Sequence, residues 1–152
     1  RRLPTVPSSP VMPPAKVSTK SGATNGLVSQ LEQWPIQLHL IQPRNPIFAR
    51  QSVLLAADCV AFALPDFNQK YLPGKRLLVA CPKLDQNQDI YLAKLVSLID
   101  EAAIAELQVL IMEVPCCGGL LRLAQSAAQQ ARRAAPIKVS VVGLDGELRN
   151  EA

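Results

Sequence analysis

Three stretches of the chain are almost continuously aliphatic: Ser52–Ala57, Arg76–Ala80 and Leu107–Val114. Apolar side chains at consecutive positions, interrupted only by Ser52, Arg76, Gln108 and Glu113, rather than at every second one, predict strands covered on both faces, as in a parallel sheet. Trp34–Ile41 is patterned differently. Trp34, Ile36, Leu38 and Leu40 alternate with Gln37 and His39, which predicts a half-buried strand. Ile137–Leu144 closes the series, with Lys138 and Ser140 marking it as an edge strand. Helical spacing lies between these runs. Asp89–Ala103 places Ile90, Leu92, Leu95, Val96 and Ile99 on one face, with Asp85 or Asp89 as cap. Gly118–Ala134 does the same with Leu120, Leu121, Ala124, Ala127, Ala128 and Ala131. The stretch from Cys59 through Tyr71 is a weaker helix because Pro65 interrupts it. Strands alternating with helices predict a three-layer α/β sandwich with a mostly parallel, about five-stranded sheet of Rossmann-like or flavodoxin-like type. Its strand order is open, as is the pairing of the first strand, which only a short link joins to Ser52.

Residues 1–30 are built differently. Pro4, Pro7, Pro10, Pro13 and Pro14 are interleaved with Ser, Thr, Gly and Lys, which is the composition of a disordered linker. The expected organisation is thus a linker over 1–30 and one α/β domain over 31–152. The net charge of +4 is modest, and three Phe, two Tyr and one Trp are too few for a nucleic-acid stacking platform. No apolar run reaches bilayer-crossing length, and no signal-type segment opens the chain, so the expectation is a cytoplasmic domain that meets neither nucleic acid nor membrane. A start at Arg1 rather than Met is expected of a processed product or a fragment.

Chemistry concentrates in four cysteines, each at the end of an aliphatic run. Cys59 follows the first run, Cys81 the second, and Cys116 and Cys117 the third. The carboxyl ends of the strands in an open α/β sheet share one edge, where ligands bind. In a reducing compartment, soft thiolates gathered there point to an iron–sulfur cluster or another soft metal. Gly118 and Gly119 keep the turn after Cys117 free of bulk, and the unpaired amides of a helix start would favour thiolate over thiol. A single cysteine is read more simply as a small buried residue. A disulfide between the adjacent Cys116 and Cys117 needs a strained ring, and a catalytic cysteine would have only His39 as base.

Cys81, 34 intervening residues and then Cys116-Cys117-Gly118 resemble the first half of the CCG motif of heterodisulfide-reductase-type subunits, which bind iron–sulfur clusters. No Cys-x-x-Cys follows, so Cys59 would have to take its place. A longer resemblance rests on four motifs: Trp34-Pro-Ile-Gln-Leu-His-Leu, Ala56-Ala-Asp-Cys-Val-Ala-Phe-Ala, Cys81-Pro-Lys-Leu-Asp and Met112-Glu-Val-Pro-Cys-Cys-Gly-Gly-Leu. Together they resemble, over residues 34–144, the C-terminal domain of a family of bacterial and archaeal 4Fe-4S ferredoxin-type proteins. There the domain follows a two-cluster ferredoxin module and a Cys-rich linker. Neither stands in this sequence, so those clusters are not carried over. The resemblance implies an electron-transfer setting and a redox partner protein or ferredoxin module.

The resulting expectation is an iron–sulfur domain, of the 4Fe-4S type that the resemblance implies, with Cys59, Cys81, Cys116 and Cys117 as ligands. Asp58, Asp85 and Glu113 lie beside them as orienting groups, proton donors or helix caps, and Lys83 as a charge that offsets a cluster. His39 is expected to be solvated or hydrogen-bonded rather than a ligand. Two alternatives stay open. One is a zinc enzyme of β-carbonic-anhydrase-like arrangement, although Met112 or Glu113 stands where its histidine would be. The other is a non-catalytic docking domain of a ferredoxin-type protein. No phosphate-binding glycine frame is present.

Overall fold

The computed structural model describes Ala15–Lys16 and residues 27–151. The expected linker lies largely outside the described residues. Its described pieces are β1 (Ala15–Lys16), which pairs antiparallel with β2 (Gln33–Trp34), and residues 27–30, where the Gln30 amide donates to the Asn68 side chain at 2.9 Å.

The main sheet contains β3 (Ser52–Ala57), β4 (Lys75–Ala80), β5 (Glu106–Met112), β6 (Ile137–Val142) and β7 (Leu148–Glu151). Their order is β4-β3-β5-β6-β7, parallel except for the antiparallel β7. Both faces of β3 and β5 are covered, which is why their runs do not alternate: Leu54, Leu55, Leu107, Val109 and Leu110 are fully buried. The three helices are α1 (Val60–Ala63), α2 (Gln88–Asp100) and α3 (Gly118–Gln130). The β3–β4 connection, with α1 and a π-helical turn at Phe67–Tyr71, runs one way across the sheet; those carrying α2 and α3 run the other way. Right-handed crossovers in opposite directions place their helices on opposite faces. Accordingly α2 and α3 pack on each other. The layers are those expected, and among the described residues no helix is long and apolar enough to cross a membrane.

Two expectations about strands are corrected. The segment Trp34–Ile41 is not a strand of the sheet: only Gln33–Trp34 is extended, and residues 38–40 form a turn. Pro35 has no N–H to donate, so a regular ladder cannot continue through it. The segment instead covers the outer edge of β4. The Val79 N–H donates to the Ile36 carbonyl at 2.8 Å, and the Leu38 N–H to the Val79 carbonyl at 3.0 Å. One register further on, a side chain replaces the backbone. The Gln33 carboxamide accepts from the Leu77 N–H at 3.0 Å and donates to the Leu77 carbonyl at 2.5 Å, and Gln33 is only 1% exposed. Its reach defeats the period-two reading, because the buried residue is the polar one and Trp34 is exposed. The turn is then clamped by Lys94 of α2, whose ammonium donates to the carbonyls of Leu38, His39 and Ile41 at 3.0, 2.5 and 3.0 Å. Burial pushes the Lys94 pKa down.

The second correction concerns the edge. β6 is internal, Ser140 is buried, and the polar β7, whose sequence shows no strand pattern, is the edge strand. β4, whose run predicts a strand covered on both faces, is the other end strand of the sheet, shielded by residues 33–38.

Replacing Gln33 by Leu keeps the volume but leaves the Leu77 N–H and carbonyl buried without partners. The expected loss is about 2–4 kcal/mol in urea unfolding, with an unchanged m-value. A loss below about 0.5 kcal/mol would show that the carboxamide does not close this edge.

Candidate functional site at the carboxyl edge of the sheet

Because β4 and β5 lie on opposite sides of β3, the chain reverses direction between β3 and β5. In open α/β sheets the carboxyl ends at such a reversal point are where ligands bind. Asp58 and Cys59 leave β3 there, and Glu113 through Cys117 leave β5. Cys81 leaves β4 on the adjoining side. All four cysteines therefore stand along one edge, as the sequence pattern predicts.

They are not equivalent. Cys59 and Cys116 are exposed, Cys81 is half-buried and Cys117 is buried. Pro115 opens a short 3-10 turn, Pro115–Cys117, that runs directly into α3, with the Cys117 N–H donating to the Val114 carbonyl at 3.1 Å. This turn drives the Cys117 side chain inward. Burial then raises its pKa, a backbone hydrogen bond with Met112 opposes that rise, and the neighbouring Cys116 and Cys59 add to it. The expected thiolate at the helix start is thus corrected for Cys117, which is held as the thiol.

The loop after β4 closes on the same turn. A Cβ on Gly119 would lie 3.0 Å from the Pro82 Cβ, tighter than ordinary contact, so α3 lies close against Cys81-Pro82 at this glycine. The Cys81 N–H donates to the Asp85 carboxylate at 2.8 Å. The hydroxyl of Tyr91, a fully buried residue of α2, donates to the same carboxylate oxygen. Asp85 is therefore not the cap of α2. Asn87 takes the N-cap position with φ 57°, and neither Asn87 nor Asp89 caps by side chain. Tyr91 was invisible to the sequence reading because its ring simply continues the apolar stripe of α2. Burial and the Asp85 hydrogen bond hold its hydroxyl protonated, well above the usual tyrosine range.

Asp58 is the odd group of the edge. Its Oδ1 is buried without a hydrogen-bond partner. Burial first, and the Asp85 charge second, raise its pKa, so it keeps a proton to higher pH than an exposed carboxyl. Glu113 has the opposite environment. It pairs with Arg149 at 2.7 Å and accepts from the Leu144 N–H at 3.1 Å, which lowers its pKa. It ties the end of β5 to the β6–β7 hairpin and does not orient a ligand. His39 packs on the Tyr91 ring, with centroids 4.2 Å apart, and donates from Nε2 to the Gln86 carbonyl at 2.8 Å.

Among the described residues, no three His, Cys, Asp or Glu side chains are grouped so as to hold a metal ion. The donor chemistry of Cys59, Cys81, Cys116 and Cys117 suits a soft metal, but their placement along the edge does not form a ligand set.

The Asp58 environment has a pH consequence. A carboxyl whose folded-state pKa is raised stabilises the fold most when protonated and loses that stability as pH rises through the folded value. Asp58→Asn is therefore expected to unfold at higher denaturant concentration than the parent at pH 7. That advantage should shrink as pH falls through the raised pKa, and vanish below the ordinary value of 3.8. A pH-independent difference would contradict the assignment.

Comparison with known proteins agrees with the architecture. A protein from Archaeoglobus fulgidus, described as an uncharacterized protein, is 24% identical over 119 residues, covering 78% of this chain and 83% of the relative. No solved structure matches the chain. Neither finding carries a ferredoxin or iron–sulfur identity. A family described as Rossmann-like domain matches residues 45–152, the whole span of the main sheet and its helices, and the chain belongs to that family.

Proposed function

We propose that this domain is a redox module serving electron transfer, and that its working groups are the thiols of Cys59, Cys116 and Cys117 at the carboxyl ends of β3 and β5, with Cys81 beside them. The observation that carries this reading is the placement of Cys59 and of Cys116–Cys117 at the carboxyl ends of the paired neighbouring strands β3 and β5, at the reversal point of the sheet. The motif resemblance to ferredoxin-type proteins supports the electron-transfer setting. Exposed Cys59 and Cys116 are open to a partner or reagent, while Cys117 stands behind them as a protected thiol. Oxidation of Cys59 with a cysteine of the 116–117 turn forms one S–S bond. It releases two protons and passes two electrons to an electron carrier. Asp58, adjacent to Cys59, is a candidate to take up and return a proton because burial raises its pKa above that of an exposed carboxyl.

Zinc chemistry finds little support, since Met112 is buried in the core, Glu113 is engaged by Arg149 and His39 by Gln86.

The test is anaerobic purification of the full chain, assay of iron, zinc and acid-labile sulfide, and redox titration followed by thiol alkylation and mass spectrometry. The expected result is a reversible redox response that Cys59→Ser abolishes. It would be read as a thiol pair protected on oxidation, or as a bleachable charge-transfer band if iron and sulfide are present. Four thiols that alkylate alike at every potential, with zinc alone or no metal, would overturn the proposal.

A further inference from the structure

The three most exposed large apolar side chains among the described residues all lie at the thiol-bearing edge: Phe62 at 93%, Leu84 at 78% and Leu144 at 72%. They follow β3, β4 and β6 respectively. A nearly bare phenylalanine on a helix is costly to leave in water, and several such residues at one edge mark a contact surface. Two of the loops that carry them meet. A Cβ on Gly146 would lie 2.6 Å from the Ala63 carbonyl, which places the Leu144–Gly146 turn against the end of α1, next to Phe62. The loop that carries Leu84 meets α3 instead, where Gly119 lies against Pro82. The exposed Cys59 and Cys116 directly precede α1 and α3 at the same edge.

Charge then selects the occupant. Lys83 and Arg122 are exposed at this edge and make no ion pair with any described residue. The Arg122 guanidinium lies over Gly118, 3.4 Å from where its Cβ would be, directly beside the cysteine turn. The acids nearby are mostly engaged: Asp85 by Cys81 and Tyr91, Glu113 and Asp145 by Arg149, and Asp66 by Lys70. Asp89, on the first turn of α2, and Glu147, in the hairpin that also carries Leu144, are the exposed acids left over, and Asp58 is half-buried beside Cys59; none of them belongs to the turn of Cys116 and Cys117. An apolar surface crossed by two unpaired cations fits an acidic protein face with an apolar centre.

We infer that the edge formed by Phe62, Leu84, Leu144, Lys83 and Arg122 is the docking surface for a small acidic electron-transfer protein, which it seats over Cys59 and Cys116. This inference rests on the redox reading of the thiols and names the partner of that site.

The probes are an acidic single-cluster ferredoxin and, as a charge control, a basic cytochrome c, each titrated calorimetrically into the full chain at low and high salt. The ferredoxin is expected to bind and to weaken with salt, while the cytochrome does not bind. Lys83→Glu with Arg122→Glu should weaken ferredoxin binding about tenfold or more, as should Phe62→Ser with Leu84→Ser. All four side chains are exposed, so circular dichroism should show the variants folded as the parent. Cys59→Ser with Cys116→Ser should bind undiminished. If this thiol-free pair docks but the parent thiols show no redox response, the redox reading fails and the surface stands. If the parent thiols respond but the ferredoxin does not bind, or binds with neither double variant weakened, the docking inference is overturned alone. Preference for the cytochrome would overturn it too, as would self-association of the chain that Phe62→Ser with Leu84→Ser abolishes.

Discussion

Burial of β3 and β5 on both faces is the constraint from which the remaining arrangement follows. Two strands with no polar face can only sit in the middle of a sheet with helices above and below. Because β4 pairs with one side of β3 and β5 with the other, the chain must reverse direction between them. That reversal marks their carboxyl ends as the place where ligands bind in open α/β sheets. It also fixes which loops meet there, and the loops after β3 and β5 carry three of the four cysteines. The site is thus a by-product of how the core is covered.

Within the site, environment separates groups that the sequence makes look alike. Cys116 and Cys117 are neighbours, yet the 3-10 turn set by Pro115 exposes one sulfur and buries the other. Asp58, Asp85 and Glu113 all follow strands, yet each has a different task. Asp85 is consumed in holding the Cys81 loop and the Tyr91 hydroxyl, and Glu113 holds the outer hairpin through Arg149. Only Asp58 retains an unengaged buried oxygen, and it adjoins the most accessible thiol of the β3 end. An inventory of acids and thiols would assign all of them to ligand chemistry; their hydrogen bonds remove two.

Layering, helix placement and the shared cysteine edge were legible in the sequence because each depends on local periodicity or on residues that directly end a strand. What was not legible depends on reach across the chain. The Gln33 carboxamide bonds a strand 44 residues away, and in the sequence Gln33 is a polar residue ahead of an alternating run. The polar β7 forms because β6 offers it an open edge, which nothing in Leu148–Glu151 reveals. Tyr91 reads as one more apolar position on α2, and its hydroxyl has meaning only once Asp85 is beside it. The chemistry of the cysteines is legible as residue type, whereas their convergence is a property of strand order, which the sequence left open.

The central claim is that thiols from the ends of β3 and β5 act as one unit. It is tested most directly with dibromobimane, which becomes strongly fluorescent only when both of its arms have reacted with nearby thiols. The reagent is applied to the folded chain carrying Cys81→Ser and Cys117→Ser, which leaves only the exposed Cys59 and Cys116, and the products are mapped by mass spectrometry. The account predicts a fluorescent adduct that links the Cys59 peptide to the Cys116 peptide in the native protein and is lost in denaturant. Separate single-arm adducts on Cys59 and Cys116, with no link between them, would show that the two strand ends do not share a site.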